Sequence, residues 1–473
     1  MALRSLTLPP LSPVAATKKP AAVYAAVQSS TLSVYGSIRN CQTQEKPVVK
    51  RRSKKPTGII SPTPDTSSPL SPVPLKKVLV PIGFGTEEME AVIMIDVLRR
   101  SGAHVTVASV EEQLEVEAAG GTRLVADAFI SACSDQTFDL VALPGGMPGS
   151  ARLRDCQVLR DITIKQAEAK RLYAAICAAP AVALLPWGLL KRKQVIPITT
   201  CHPAFMDKLP TFWSVKSNLQ ISGELTTSRG PGTCFEFSLS LVEQLFGDLV
   251  TEEIAATLLL NAADGNSRKE EFNEVSWSSG HPPQVLIPIA NGCEEIEVVT
   301  IVDILRRAKA NVVVASVEKS LKVLASSGTK IMADKAIGAA ADSVHDLIIL
   351  PSLLARQFQG GTLGVERLQR SRIVKKMLKE QQLSGRILGA ICSSPTILHK
   401  QGLLKGKKAT AHPSVMSMLD DAVSGVRVVI DGKVITGRGL ATATDFGLAI
   451  VGKLFGSARA RSVAEGLVFE YPR

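Results

Sequence analysis

The chain repeats itself. Lys77-Val-Leu-Val-Pro-Ile recurs as Gln284-Val-Leu-Ile-Pro-Ile, Glu87-Glu-Met-Glu-Ala-Val92 as Glu294-Glu-Ile-Glu-Val-Val299, and Asp96-Val-Leu-Arg-Arg as Asp303-Ile-Leu-Arg-Arg. Val107-Ala-Ser-Val-Glu returns as Val314-Ala-Ser-Val-Glu, Cys201-His-Pro as Ala411-His-Pro, and Leu245-Phe-Gly as Leu454-Phe-Gly, always at an offset between 207 and 215. A repeat of that length is a whole domain, so the chain must fold as two domains of one architecture. The reading places domain 1 at 76–262 and domain 2 at 284–473, joined by a polar linker, 263–283, that ends at Pro283.

Within each copy, short apolar runs alternate with amphipathic stretches. Val78–Ile82, Val105–Ser109 and Leu140–Leu143 read as strands; Glu87–Ser101 and Asp155–Lys170 read as helices. Strands that are apolar on both faces, separated by helices, argue for a parallel sheet covered by helices. Ligands in such sheets bind beyond the carboxyl ends of the strands. Three features fall at that edge: the loop from Gly83 to Glu90, the loop Pro144-Gly145-Gly146, and Cys177.

Cys177 ends the apolar run Leu172–Ile176, and small residues then lead into Val182, Leu184, Leu185, Leu189 and Leu190. This is a strand, an abrupt turn and a helix. Ala175 and Ala179, two before and two after the cysteine, supply the small neighbours that a nucleophile elbow needs. A thiol so placed is expected to meet the positive end of the helix dipole, which favours thiolate. A lone cysteine here would more often be an inert core residue. The second copy, Gly389-Ala-Ile-Cys-Ser-Ser-Pro395, puts Cys392 in the same place and shifts the balance.

The net charge of +12 belongs mostly to the leader. Residues 1–75 hold ten Lys/Arg and two acids, which is +8, so the two domains carry little excess and a nucleic-acid partner loses its best argument. The first 44 residues contain no Asp or Glu and are rich in Ser, Thr and Ala, as in an organelle transit peptide, plastid more than mitochondrial. A disordered transit peptide over 1–50, a Pro-rich basic linker over 51–75 and a stromal location are therefore expected. The uncharged stretch Leu172–Leu190 imitates a membrane span, but its counterpart carries His399 and Lys400, so both are read as buried core and no membrane helix is expected. The eight cysteines form no C-x-x-C pair and read as reduced thiols, with no zinc site.

Taken together, Glu87-Glu-Met-Glu90, Leu143-Pro-Gly-Gly146, Ala175-Ile-Cys177, His202-Pro and Thr227-Ser-Arg-Gly-Pro-Gly-Thr233 resemble the DJ-1/PfpI superfamily, in particular its tandem form found in plants. The resemblance covers both domains. It implies two flavodoxin-like, class I glutamine amidotransferase-like three-layer sandwiches with parallel sheets. It implies a nucleophilic Cys177 with Glu90 as carboxyl partner, His202 nearby, and the amides of Gly145 and Gly146 as an oxyanion loop; Glu297, Cys392 and His412 are the counterparts in domain 2. It implies activities assigned across the superfamily: cofactor-independent glyoxalase, protein deglycase, chaperone and oxidative-stress sensor. The chain thus reads as a plastid stress-response protein acting on methylglyoxal-type 2-oxoaldehydes through domain 1. The alternative is a catalytically inactive relative serving as redox sensor, chaperone or partner-binding module needed for chloroplast development. The partners implied are a small aldehyde or a protein, with the two domains packed as an intramolecular pseudo-dimer, open to further homo-oligomerisation.

Other residues read more plainly. Glu87 and Glu88 are expected as exposed first-turn acids, and Arg229-Gly-Pro-Gly as a tight loop. Gly83-Phe-Gly85 imitates a dinucleotide loop, but Glu88 stands where the last glycine belongs, so no cofactor is expected. Cys201 and His202 are adjacent and poorly placed to share a metal ion, so no metal is expected. Domain 2 departs from the pattern: Leu350-Pro-Ser-Leu-Leu-Ala-Arg356 replaces Leu143-Pro-Gly-Gly-Met-Pro-Gly149, and the loss of both glycines is expected to remove the backbone freedom that aims the amides. Arg438-Gly-Leu-Ala-Thr replaces Arg229-Gly-Pro-Gly-Thr. In domain 1, Val195-Ile-Pro-Ile-Thr-Thr alters the approach to Cys201, and Gly120 stands where some relatives place an arginine.

Overall fold

The structure is a computed structural model that describes residues 75–190, 198–210, 214–260, 268–277, 280–352 and 364–471. The stretch 1–50 expected as a transit peptide, the stretch expected as its linker up to residue 74, the approach segment 195–197, the linker stretch 263–267 and the loop 353–356 lie outside the described residues.

Domain 1 runs β1 (Lys77–Ile82), α1 (Glu88–Arg100), β2 (His104–Ser109), β3 (Glu115–Glu117), β4 (Arg123–Val125), β5 (Ala128–Phe129), β6 (Leu140–Leu143), α2 (Gly149–Asp155), α3 (Gln157–Glu168), β7 (Leu172–Ile176), β8 (Leu219–Ser222), β9 (Leu225–Ser228), α4 (Cys234–Phe246) and α5 (Asp248–Thr257). A strand from the interdomain stretch, β10 (Lys269–Phe272), precedes domain 2. Domain 2 then runs β11 (Gln284–Ile289), α6 (Glu295–Arg307), β12 (Asn311–Ser316), β13 (Lys322–Leu324), β14 (Lys330–Met332), β15 (Lys335–Ala336), α7 (Ile337–Ala341), β16 (Leu347–Leu350), α8 (Gly364–Arg370), α9 (Arg372–Leu383), β17 (Ile387–Ile391), α10 (Pro395–Lys400), β18 (Val428–Asp431), β19 (Val434–Gly437), α11 (Ala443–Phe455) and α12 (Ser457–Gly466).

The first sheet has the order β5-β2-β1-β6-β7-β9-β8, parallel except for the β8/β9 hairpin. Its central order, counting the long parallel strands, is the flavodoxin-like 2-1-3-4-5. The second sheet repeats it as β15-β12-β11-β16-β17-β19-β18 and gains β10, which pairs with β18 in parallel. The stretch expected as a plain linker is thus partly a sheet edge, anchored by Trp277, whose indole N–H donates to Gly432 O at 2.8 Å. The central strands are buried along nearly their whole length, as the apolar runs require. The uncharged stretch after Cys177 is core as expected: Val182, Leu184, Leu189 and Leu190 are buried. Among the described residues no helix is long and apolar enough to cross a membrane.

The two domains pack on each other as an intramolecular pair related by an approximate twofold axis. α1 meets α6, and β4 of domain 1 pairs antiparallel with β14 of domain 2, so one four-stranded sheet, β13-β14-β4-β3, is shared. Side chains repeat the symmetry: Arg99 Nη1 donates to Ser327 O at 3.3 Å, and Arg306 Nη1 donates to Gly120 O at 3.1 Å. A single apolar core runs through both domains and includes Met94, Ile95 and Leu98 of α1 with Ile301, Val302 and Leu305 of α6. Each such side chain contributes roughly 1.5–3 kcal/mol on burial, which makes separation of the halves costly. The position of α1 between its own sheet and the other domain leaves almost none of it in solvent: every residue of it but Arg99 is buried, including Glu88, Glu90, Asp96 and Arg100.

Candidate active site

Cys177 stands at the end of β7 with φ of 63°, and Cys392 at the end of β17 with φ of 59°. The left-handed region is strained for a residue with a side chain, costing on the order of 1 kcal/mol or more. The elbow is held from both sides. Cys177 N donates to Ser228 O at 3.0 Å and Cys177 O accepts from His202 N at 2.9 Å; Cys392 repeats this with Gly437 O and His412 N, both at 2.8 Å. Small residues are needed because neighbouring loops come close. A Cβ on Gly145 would lie 2.5 Å from Cys177 Cβ and 2.8 Å from Glu90 Oε2. That one point of near contact places the carboxylate and the cysteine side by side. Gly146, at φ of 88°, would bring a Cβ within 2.4 Å of Glu87 N, so this turn also requires glycine.

Glu90 is completely buried, accepts from Gly145 N at 2.8 Å through Oε2, and its Oε1 has no hydrogen-bond partner. Burial pushes its carboxyl up to about 7, opposed by the Gly145 amide, the Cys177 side chain and the Arg307 charge. The thiol departs from the expectation of a helix-stabilised thiolate. Burial first, and the Glu90 charge second, push it well above its ordinary value, with the Gly146 amide opposing. The reason is local: the elbow leads into a five-residue π-helical turn, Pro180–Leu184, too short to present a dipole that outweighs burial beside a carboxylate. Glu90 and Cys177 together therefore hold a proton near neutral pH, and can pass it between oxygen and sulfur as a bond forms to sulfur.

In domain 2, Ser352 N reaches Glu297 Oε2 at 2.8 Å, the same distance as its counterpart, and Glu297 is also pushed to about 7 by burial. The backbone aim expected to fail at this position has survived. The difference lies in space. The Ser352 side chain is fully buried against Glu297 and Cys392, where in domain 1 the loop lies too close to Cys177 for any side chain at Gly145. Cys392 is accordingly 1% exposed, against 8% for Cys177.

A family model described as the DJ-1/PfpI family matches residues 76–244 and again 283–453. The chain belongs to the DJ-1/PfpI family. It is 48% identical over 385 residues to Protein DJ-1 homolog B of Arabidopsis thaliana, covering 80% of this chain and 85% of that one. Protein DJ-1 homolog A of the same plant is 47% identical over 391 residues, covering 81% and 96%. A single copy is 36% identical over 176 residues to the glutathione-independent glyoxalase DJR-1.2 of Caenorhabditis elegans, covering 37% of this chain and 90% of that protein. Among solved structures, oxidised Toxoplasma gondii DJ-1 matches at 42% identity and a TM-score of 0.38, covering 39% of this chain and 98% of its own.

Each DJ-1/PfpI domain carries its histidine beside the elbow, with the ring engaged elsewhere. His202 Nδ1 accepts from Ala204 N at 3.2 Å and Nε2 faces Gly466 O at 3.5 Å, which assigns the proton to Nε2. Burial lowers its pKa, so the ring is neutral at pH 7. His202 thus caps the turn Pro203–Lys208 and touches the other domain; His412 caps Pro413–Met418 in the same way. Cys201 points at Met206 Sδ, 3.6 Å away, and not at a site shared with His202.

Two parts of the DJ-1/PfpI site escape the sequence reading. Glu87 and Glu88 are buried, contrary to the expectation of exposed first-turn acids, because α1 begins inside the interface. Glu87 caps its own helix through Glu90 N at 2.7 Å and pairs with Arg307 of domain 2 at 2.8 Å. Glu88 accepts from Gly120 N at 2.8 Å, and a Cβ on Gly120 would lie 2.5 Å from Glu88 Oε1 and 2.7 Å from Asp303 Oδ1, so a larger residue there would have to displace these buried carboxylates. The mirror grouping, Asp96 with Glu294 and Glu295, is held by Arg100. A signal for this burial is present in the sequence: the five consecutive apolar residues Ala91, Val92, Ile93, Met94 and Ile95 put an apolar side chain on every side of α1.

The second part is the tail of the opposite domain. Leu467 O accepts from Gly232 N at 2.7 Å, and a Cβ on Gly232 would meet Val468 O at 2.6 Å. Across the axis, Ala441 replaces that glycine and its amide reaches Leu258 O at a longer 3.3 Å. The Arg229-Gly-Pro-Gly segment is therefore a seat for the other domain's tail as well as a loop. Leu259 and Val468, just beyond α5 and α12, match each other with φ of 63° and 56°.

Proposed function

We propose that domain 1 is a cofactor-independent glyoxalase, or a deglycase of the same chemistry, acting on methylglyoxal-type 2-oxoaldehydes in the plastid stroma, and that domain 2 is its non-catalytic half. The observation that carries this reading is the close placement of the two groups: Cys177 Cβ and Glu90 Oε2 both lie within 2.8 Å of one point above Gly145, so that only a hydrogen fits between the loop and the pair. The relative named as a glutathione-independent glyoxalase supports the reaction class.

The chemistry needs only these groups. The thiol proton passes to Glu90 as sulfur bonds to the aldehyde carbon. The carbonyl oxygen, met by loop amides, then takes a proton to give a hemithioacetal. Glu90 removes the hydrogen on that carbon as a proton, and the electron pair moves to the neighbouring carbonyl, forming an enediol. Protonation at the second carbon leaves a thioester, and water releases lactate and restores the thiol. One water is added overall and no external oxidant or reductant is required. Adducts of the same aldehydes on amines or thiols offer a like carbon to the sulfur.

The test is turnover of methylglyoxal to lactate by the full chain, beside Cys177→Ala. Cysteine-dependent lactate release is expected; its absence ends the glyoxalase reading and favours a redox or partner-binding role for the folded pair. A fluorescent protein carrying residues 1–75 tests the location: import into plastids is expected, and cytosolic retention overturns it.

A further inference from the structure

We propose that Arg307, on the first helix of domain 2, is a positioning residue for the Glu90–Cys177 pair of domain 1, so that the reactive site of this chain is assembled by both domains. This rests on the glyoxalase reading only in naming Cys177 as the reactive group.

The connection is a closed set of hydrogen bonds. Arg307 Nη2 donates to Glu87 Oε1 at 2.8 Å while its Nε donates to Asp303 Oδ2 at 2.6 Å. Glu87 Oε2 accepts from Glu90 N at 2.7 Å, and Glu87 N donates to Gly145 O at 3.0 Å. Gly145 N returns to Glu90 Oε2 at 2.8 Å. Glu87 therefore pins both the first turn of α1 and the loop over the thiol. Burial first, then the Glu90 and Asp303 charges, push its carboxyl well above the ordinary value, with Glu88 adding to them, and Arg307 is the charge that opposes them. Loss of that cation favours the neutral acid further, and a neutral acid is the weaker cap.

The mirror pair shows that this is not simply interface symmetry. Arg100 Nη2 donates to Glu294 Oε2 at 2.6 Å, and Glu294 N donates to Ser352 O at 3.0 Å, but the side-chain link is broken. Glu294 makes no side-chain cap to its helix, and among the described residues its Oε1 has no partner. Of the two copies, only domain 1 links the other domain's guanidinium through a side-chain cap to the backbone of its buried glutamate. The exposures differ too: the Arg307 side chain is 31% exposed and that of Arg100 2%, so Arg307 can be changed without opening the core.

Several charged groups face the pair. Cys177 is faced by Glu90 and Glu87; Glu90 by Arg307 and Asp303; His202 by Arg229 and Arg307; and Cys234 donates its S–H to Glu90 O at 3.5 Å. Arg307 is the cation among those facing Glu90, so its removal disfavours negative charge on both reacting groups.

The experiment is iodoacetamide alkylation of the full chain between about pH 5 and about pH 10, with Cys177 and Cys392 followed separately by mass spectrometry. In Arg307→Ala, alkylation of Cys177 at each pH below its midpoint is expected to be about tenfold slower, which corresponds to a rise of about one pH unit in that midpoint. Arg307→Lys is expected to recover part of that shift, and the Cys392 profile to stay in place. Arg306→Ala, which removes a neighbouring cross-domain hydrogen bond, is expected to leave the Cys177 profile unmoved. An unshifted Arg307→Ala, or an Arg306→Ala shift as large, overturns the proposal, the latter because it would mark general loosening of the interface. The readout is thiol reactivity, so failure of the glyoxalase reading shows instead as missing lactate in the wild type.

Discussion

The two domains share a sheet order, an elbow, a buried glutamate and a capped histidine, yet they differ by one side chain at the point that matters. Gly145 lies so close to Glu90 and Cys177 that no Cβ fits; at the corresponding place Ser352 sets a buried hydroxymethyl group beside Glu297 and Cys392. The lesson is that a reactive site is defined as much by how closely the covering loop approaches it as by the groups that line it. Both carboxyls are pushed to about 7 by the same burial, so electrostatics alone does not separate an open site from a closed one.

The comparison can be broken most sharply at the sulfurs. Cys177→Ala is expected to reduce methylglyoxal turnover to background and Cys392→Ala to leave it near wild type; equal losses would make the domains equivalent. Next in size is the exchange of the small residue. Gly145→Ser should lower kcat/KM about a hundredfold, as a misplaced acid–base pair does, while Ser352→Gly should make Cys392 alkylate faster. A folded Gly145→Ser protein with full activity would show that the close fit at this point is irrelevant.

Glu90→Gln should cost about a hundredfold in kcat and remove the acid limb of the pH–rate profile. That limb is expected near 7, with activity rising as Glu90 ionises and becomes able to accept a proton. Glu297→Gln should leave the profile as it is.

Stability gives a smaller effect with a definite sign. Glu88, Glu90 and Glu297 stand at about 7 and Glu294 at about 8, against an ordinary value of 4.5. From there up to about 8 the native state holds protons that the unfolded chain has released, so stability falls as pH rises through this window. Melting temperature should drop by several degrees across it, with a shallower slope in Glu90→Gln; a rising melting temperature would contradict buried neutral carboxyls. The smallest expected change is at the tail seat. Gly232→Ala, which copies Ala441, should weaken the Leu467 contact and raise KM by about threefold, within the range of a lost close contact of about 0.7 kcal/mol.

Much of this is legible in the sequence because it is local. The alternation of apolar runs marks the strands, and Ala175 and Ala179 around Cys177 mark the elbow, since a tight reversal tolerates only small neighbours. The Pro-Gly-Gly motif marks the loop that meets it. The change at Ser352 is visible as well, but its effect differs from the one its sequence suggests: the amide still reaches Glu297, and it is the hydroxymethyl group that closes the site. Glu87 and Glu88 defy the sequence for a different reason. A run of acids at a helix start is normally solvated, and only the apolar run from Ala91 to Ile95, which passes round every side of the helix, hints at a second covering surface.

What the sequence determined by itself is the doubled parallel sheet and the sulfur at its turn, because hydrophobic period and residue size act over a few neighbours. What only the tertiary structure decided is which surface covers α1, which guanidinium meets Glu87, and which tail lies on each seat. Those partners come from residues such as Arg307 and Leu467, far along the chain in the other domain, and identical motifs in the two copies acquire different surroundings only when one domain is laid against the other.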